Sequence, residues 1–120
     1  MRLIGRQGDV LLFALDAGET VEGESEMHAE ARGDRGTVLA HGEVTGHAHA
    51  IRSRDAKLYR RSSAEVTAQA RAIVADALLV ARRAVVLRHE EHGPVRIPPG
   101  RVLVRIQREY SPQEMRSAAD

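Results

Sequence analysis

Apolar residues in this chain fall in short runs, each closed by glycine, proline or charged residues, which is the pattern of strands rather than of long helices. Residues 10–15 (VLLFAL) are a continuous apolar run bounded by turn residues and predict a buried strand. Residues 1–8 precede it as a short lead that closes in a turn at Gln7-Gly8-Asp9. Further strands are expected at 37–41 (TVLAH), 47–51 (HAHAI), 56–60 (AKLYR) and 95–97, the last ending at the rigid turn Pro98-Pro99-Gly100. The clearest strand is 101–110 (RVLVRIQREY), where Val102, Val104 and Ile106 face one way and Arg101, Leu103, Arg105 and Gln107 the other.

Two helices are expected. Ser62 stands three residues before Glu65, the spacing of a reciprocal capping box, and opens an alanine-rich stretch to Ala75 with Val66, Ala70, Ile73 and Val74 on one face. Ser111-Pro112-Gln113-Glu114 is the second start, for a short C-terminal helix to about Ala119. Residues 78–81 (LLVA) and 84–89 (AVVLRH) flank Arg82-Arg83 and are read as a hairpin. One helix over 64–87 competes with that reading, because alanine and leucine favour helices while valine favours strands. Residues 16–35, where the composition shifts toward Glu and Gly with some Asp and Ser and little periodicity, read as a long mobile acidic loop.

Composition narrows the chemistry. A chain of 120 residues suits one compact domain, and with only Phe13, Tyr59 and Tyr110 aromatic its core must be built from Val, Leu, Ile and Ala. The absence of cysteine excludes disulfides and every thiolate metal or redox site, so any metal needs nitrogen and oxygen ligands, and a cytoplasmic location is expected. A formal charge of +1 argues against a strong nonspecific phosphate-binding surface, although 16–30 is acidic and 52–61 and 82–108 are rich in arginine. No apolar stretch is long enough to span a membrane, and no signal-peptide pattern opens the chain, so no membrane partner is expected.

The candidate chemistry centres on HGEVTGHAH at 41–49. His47 and His49 are two apart, so on a strand both imidazoles share a face. A five-residue loop from Gly42 to Gly46 would set His41 opposite His47 and add it to that face. His89 and His92, in LRHEEHGP, approach from another strand. Neutral imidazoles gathered on one patch are the usual ligands of a divalent transition metal, with zinc, iron, manganese and nickel not distinguished. Glu43, Glu90 and Glu91 are the nearest carboxylates, and Glu43 and Glu90 are the candidates for general-base work. His28, alone in the acidic loop, is expected to be solvated. Arg52, Arg54 and Arg101 are candidate contacts for a phosphate-bearing small molecule or RNA.

Two resemblances attach to these residues. Gly46-His47-Ala48-His49 resembles the opening of the first cupin motif, and Pro98-Pro99-Gly100 resembles the turn of the second. The chain departs from the cupin pattern in having Arg54 and Asp55 where that family places its glutamate, and no histidine after Gly100. HGEVTGHAH, HEEHGP, IPPG and QREYSPQEMR together resemble a group of small uncharacterised bacterial proteins, from which no activity carries over.

The expected fold is therefore mainly β, a small antiparallel sandwich or barrel, cupin-like at most, with a short inserted helix and a short C-terminal helix. The expected function is metal binding by His41, His47, His49, His89 and His92, with hydrolase or oxygenase chemistry if the protein is an enzyme. The alternative is a noncatalytic interaction module in a larger assembly, with structural histidines and the basic strand at 101–108 facing a protein or RNA partner. A homo-oligomer is compatible with either.

Overall fold

The computed structural model describes residues 1–42, 44–61 and 76–107. Among them are β1 (Arg2–Gln7), β2 (Val10–Ala14), a 3-10 turn at Glu24–Glu26, β3 (Met27–Ala29), β4 (Thr37–His41), β5 (Ala48–Ile51), β6 (Ala56–Arg61), β7 (Ala77–Ala81), β8 (Val85–Arg88), β9 (Val95–Ile97) and β10 (Gly100–Ile106). The expected helices at 62–75 and 111–119 lie outside the described residues, as does Glu43. No helix among the described residues is long and apolar enough to cross a membrane.

The strands form two antiparallel sheets, a six-stranded one in the order β1-β2-β10-β7-β6-β3 and a four-stranded one in the order β4-β5-β8-β9. They enclose a core of Val10, Leu12, Leu39, Ile51, Leu58, Leu79, Leu87, Ile97, Val102 and Val104 with small alanines between, as the scarcity of aromatic residues requires. The architecture is the expected mainly-β sandwich.

Three local readings are corrected. The expected lead at 1–8 contains strand β1 (Arg2–Gln7): Gln7 pairs with Val10 across the two-residue turn Gly8-Asp9, with Gly8 at φ 54°. Glycine at the first central position is what a type II′ hairpin demands. Next, β7 and β8 do not pair with each other. β7 joins β6 and β10 in the larger sheet, while β8 joins β5 and β9 in the smaller, so Arg82-Arg83 lies on a crossover between sheets.

The third correction concerns 16–35. Instead of lacking structure, this segment contains β3, paired with β6, and lays Val21 and Met27 over the outer face of the large sheet against Leu78, Leu103, Phe13 and Tyr59. Leu103 is fully buried on that face, opposite to Val102 and Val104, so the clean alternation of β10 marks two apolar faces rather than one wet one. Arg101 ties the segment down, donating from Nη2 to both carboxylate oxygens of Glu24 at 2.6 and 2.7 Å and from Nη1 to the carbonyl of Glu19 at 2.8 Å.

Candidate metal centre

The centre lies where β5 and β8 leave the small sheet. Ile51 pairs with Leu87, and Ala50 with Arg88. Continuing that register sets His49 across from His89 on the core-facing side, where opposite side chains meet. The two rings stack with centroids 4.2 Å apart and planes 30° from parallel. His92 follows at 4.7 Å from His89, and His47 meets His89 edge-on at 5.7 Å. Four of the histidines thus share one cluster, with His89 at its middle.

His41 is not among them. The expected loop assumed that His41 faces His47, which is the register that Thr37 and Ile51 begin. A bulge between Val38 and Ala40 inserts one residue, so His41 instead pairs with Ala48 and lies exposed. A shift of one residue turns a side chain to the opposite face of a sheet. Arg60 holds this bulge in place by donating to the carbonyls of Val38 and Leu39, the latter at 2.6 Å. His47 is also not on β5 but in the loop before it, where the Gly42 amide donates to its carbonyl at 2.8 Å. His28 is exposed on the edge strand β3, outside the ring cluster.

Hydrogen bonds set the tautomer of His49. Gln7 is buried, and its amide nitrogen donates to the carbonyls of Leu87 at 2.9 Å and Gly93 at 3.0 Å. Its oxygen is therefore turned to His49 Nδ1, 2.9 Å away, which must be the donor, so the His49 lone pair resides on Nε2. Burial, reinforced by the neighbouring His89 and His92, pushes the His49 pKa down to about 4, and the ring is neutral at pH 7. His89 Nδ1 accepts from the amides of Glu91 and His92 at 3.1 and 3.4 Å. His47 Nδ1 is buried without a hydrogen-bond partner among the described residues, its nearest carboxylate oxygen being that of Glu91 at 3.6 Å.

Glu90 closes the group. The backbone amide of Ala48 donates to its Oε2 at 2.9 Å, and this bond, with its own amide and the nearby imidazoles, holds the carboxyl below its ordinary pKa. Donor atoms of His47, His89 and Glu90 all lie within 4.8 Å of one another. Two glycines make room: a Cβ on Gly42 would come 3.0 Å from His89 Nε2, and one on Gly8 would come 2.7 Å from His92 Nε2.

Sequence reasoning missed Gln7, which stood out only as the edge of a turn, and Arg88, hidden beside His89. Alternation along 85–89 was the available signal for Arg88, since it sends Arg88 and His89 to opposite faces. Of the expected phosphate contacts, Arg101 is engaged by Glu24, whereas Arg52 and Arg54 are exposed.

Residues 6–107 match a family described as a domain of unknown function (DUF8820), and the chain belongs to that family. No curated protein and no solved structure matches it.

Proposed function

We propose that this member of the DUF8820 family is a metal-binding protein that holds a divalent transition ion between His47, His89 and Glu90, with His49 and His92 packed beside His89. The observation that carries the reading is the convergence of two imidazoles and an ionised carboxylate within 4.8 Å. One of the imidazole nitrogens, His47 Nδ1, is moreover buried and without a hydrogen-bond partner among the described residues. A buried polar atom without a partner is costly and asks for one.

The donor set fits such an ion. Zinc–nitrogen and zinc–oxygen bonds of about 2.0–2.2 Å place tetrahedral ligands roughly 3.3–3.5 Å apart, so donor atoms spread over as much as 4.8 Å must contract by up to about 1.5 Å. Glu90, at the exposed rim, supplies that movement by giving up the Ala48 amide and Arg35 contacts that now hold its carboxylate. His89 must in turn carry its proton on Nδ1 to offer Nε2, giving up its two contacts from the amides of Glu91 and His92. Two nitrogens and one oxygen suit zinc, iron, manganese or nickel. Bound with three protein ligands, the ion would keep a position for water and lower its pKa, which is the chemistry of hydrolysis. Glu90 serves here as ligand rather than as general base. The cupin-like ligand positions are not used, since the second half of the set comes from 89–90, ahead of the Pro-Pro-Gly turn.

Elemental analysis of untagged protein tests the reading. About one ion per chain is expected, falling sharply in His47→Ala and His89→Ala while the far-ultraviolet spectrum is kept, and unchanged in His28→Ala and His41→Ala. A wild-type protein that neither carries nor takes up metal would leave the cluster as packing and favour the noncatalytic interaction module.

A further inference from the structure

Beside the histidine cluster, on the outer face of the small sheet, is a pocket of about 350 Å³. Ala48, Ala50, Arg52 and Arg88 are among the residues that line it. Ala50 pairs directly with Arg88, and Arg52 follows two residues after Ala50 on the same face, so the two arginines are diagonal neighbours. Such positions are roughly 7–8 Å apart, close enough for like charges to repel and for one tetrahedral anion to bridge both. Neither guanidinium has a hydrogen-bond or ion-pair partner among the described residues. By contrast, Arg35 donates to the carbonyl of Gly46 and reaches Glu90, Arg82 pairs with Asp55, and Arg101 with Glu24. Those arginines have found acceptors, whereas Arg52 and Arg88 both line an open pocket that also has Ala48 and Ala50 in its wall.

We propose that this pocket binds a phosphate group, with Arg52 and Arg88 as the paired guanidinium clamps and a small phosphate-bearing molecule as the ligand class. The forked donors of arginine match phosphate oxygens two at a time. A pocket of about 350 Å³ lies at the small end of ligand sites, which suits a monophosphate better than a polymer strand. His89 and Glu90 also line it, which sets the ligand beside the proposed ion. That adjacency rests on the metal-binding reading, whereas the arginine clamp does not.

Calorimetric titration of the full chain with inorganic phosphate and with phenyl phosphate tests the proposal, on EDTA-treated and zinc-loaded protein. Saturable binding is expected, weakened about tenfold or more in Arg52→Ala/Arg88→Ala and only partly restored in Arg52→Lys/Arg88→Lys, which keeps the charge but loses the fork. Tighter binding of phenyl phosphate than of phosphate would identify an ester as the ligand; equal binding would identify the free ion. Arginine-dependent binding by protein that takes up none of zinc, iron, manganese and nickel would support the clamp and sink the metal reading. No binding of either probe, or unchanged binding in the double alanine variant, would overturn the proposal even if zinc binds. Binding confined to a single-stranded RNA oligonucleotide, with a steep salt dependence, would overturn it in favour of a polymer surface.

Discussion

Replacing Gln7 by leucine removes a side chain that hydrogen-bonds β1 of the large sheet to the small sheet beside the cluster. Three hydrogen bonds go at once: Nε2 to the Leu87 carbonyl, Nε2 to the Gly93 carbonyl, and His49 Nδ1 to Oε1. Leucine has similar bulk, so little cavity is created, and the cost is that of the partners left behind. Each such bond is worth about 1 kcal/mol net, and a buried partner left unsatisfied costs about 1–3 kcal/mol. The loss should therefore be on the order of 3 kcal/mol, a large share of the roughly 5–15 kcal/mol that holds a domain folded. Urea denaturation of metal-free protein measures it, as a lower midpoint at unchanged slope. Nitrogen-15 spectra of the imidazoles supply a second readout: His49 should carry its proton on Nδ1 in the wild type and lose that fixed tautomer in Gln7→Leu. Gln7→Glu separates the two effects, since a carboxylate still accepts from His49 but donates to neither carbonyl, leaving the tautomer fixed and the stability reduced. A Gln7→Leu loss below about 1 kcal/mol with the His49 tautomer unchanged would refute this account.

Gly8→Ala should destabilise by about 1–2 kcal/mol, because Gly8 sits at φ 54° and the added carbon would come 2.7 Å from His92 Nε2; a thermal melt equal to wild type would show that the hairpin relaxes. The His49 pKa is lower in the folded chain, about 4, than its ordinary 6.5, so the unfolded state binds the proton more readily and folding is penalised as pH falls. Stability from this residue is thus full above pH 6.5 and declines toward pH 4, by on the order of 2 kcal/mol once water at the open side of the cluster is allowed for. His49→Gln should flatten that part of the stability–pH curve. Arg101→Ala should loosen the segment that covers Leu103, costing about 1–2 kcal/mol and raising amide hydrogen exchange over 19–29; exchange unchanged there would mean that Val21 and Met27 suffice to hold it.

Sequence alone determined the class of the fold and most of its strands. Residues 37–41 and 95–97 coincide with β4 and β9, and the others differ by a residue or a few at their ends, because the side-chain period along a strand is local and needs no partner to be read. It also gathered His47, His49, His89 and His92 as one group, since glycine-bounded clusters in a cysteine-free chain leave few other places for ligands. Partnership between strands was decided elsewhere. The chain cannot announce that β7 and β8 belong to different sheets, because both are short apolar runs, and only the competition among all available partners chooses. Nor can it announce the bulge at Leu39, where one extra residue, held by Arg60 across the sandwich, turns His41 away from His47. The apolar residues of 16–35 were too sparse to signal order, and acquire it only because Leu103 and Leu78 present a second apolar face to cover. Gln7 shows the same division: its side-chain chemistry is written in one letter, but its three partners lie 42 to 86 residues away, and tertiary contact alone makes it the residue that sets a histidine's proton.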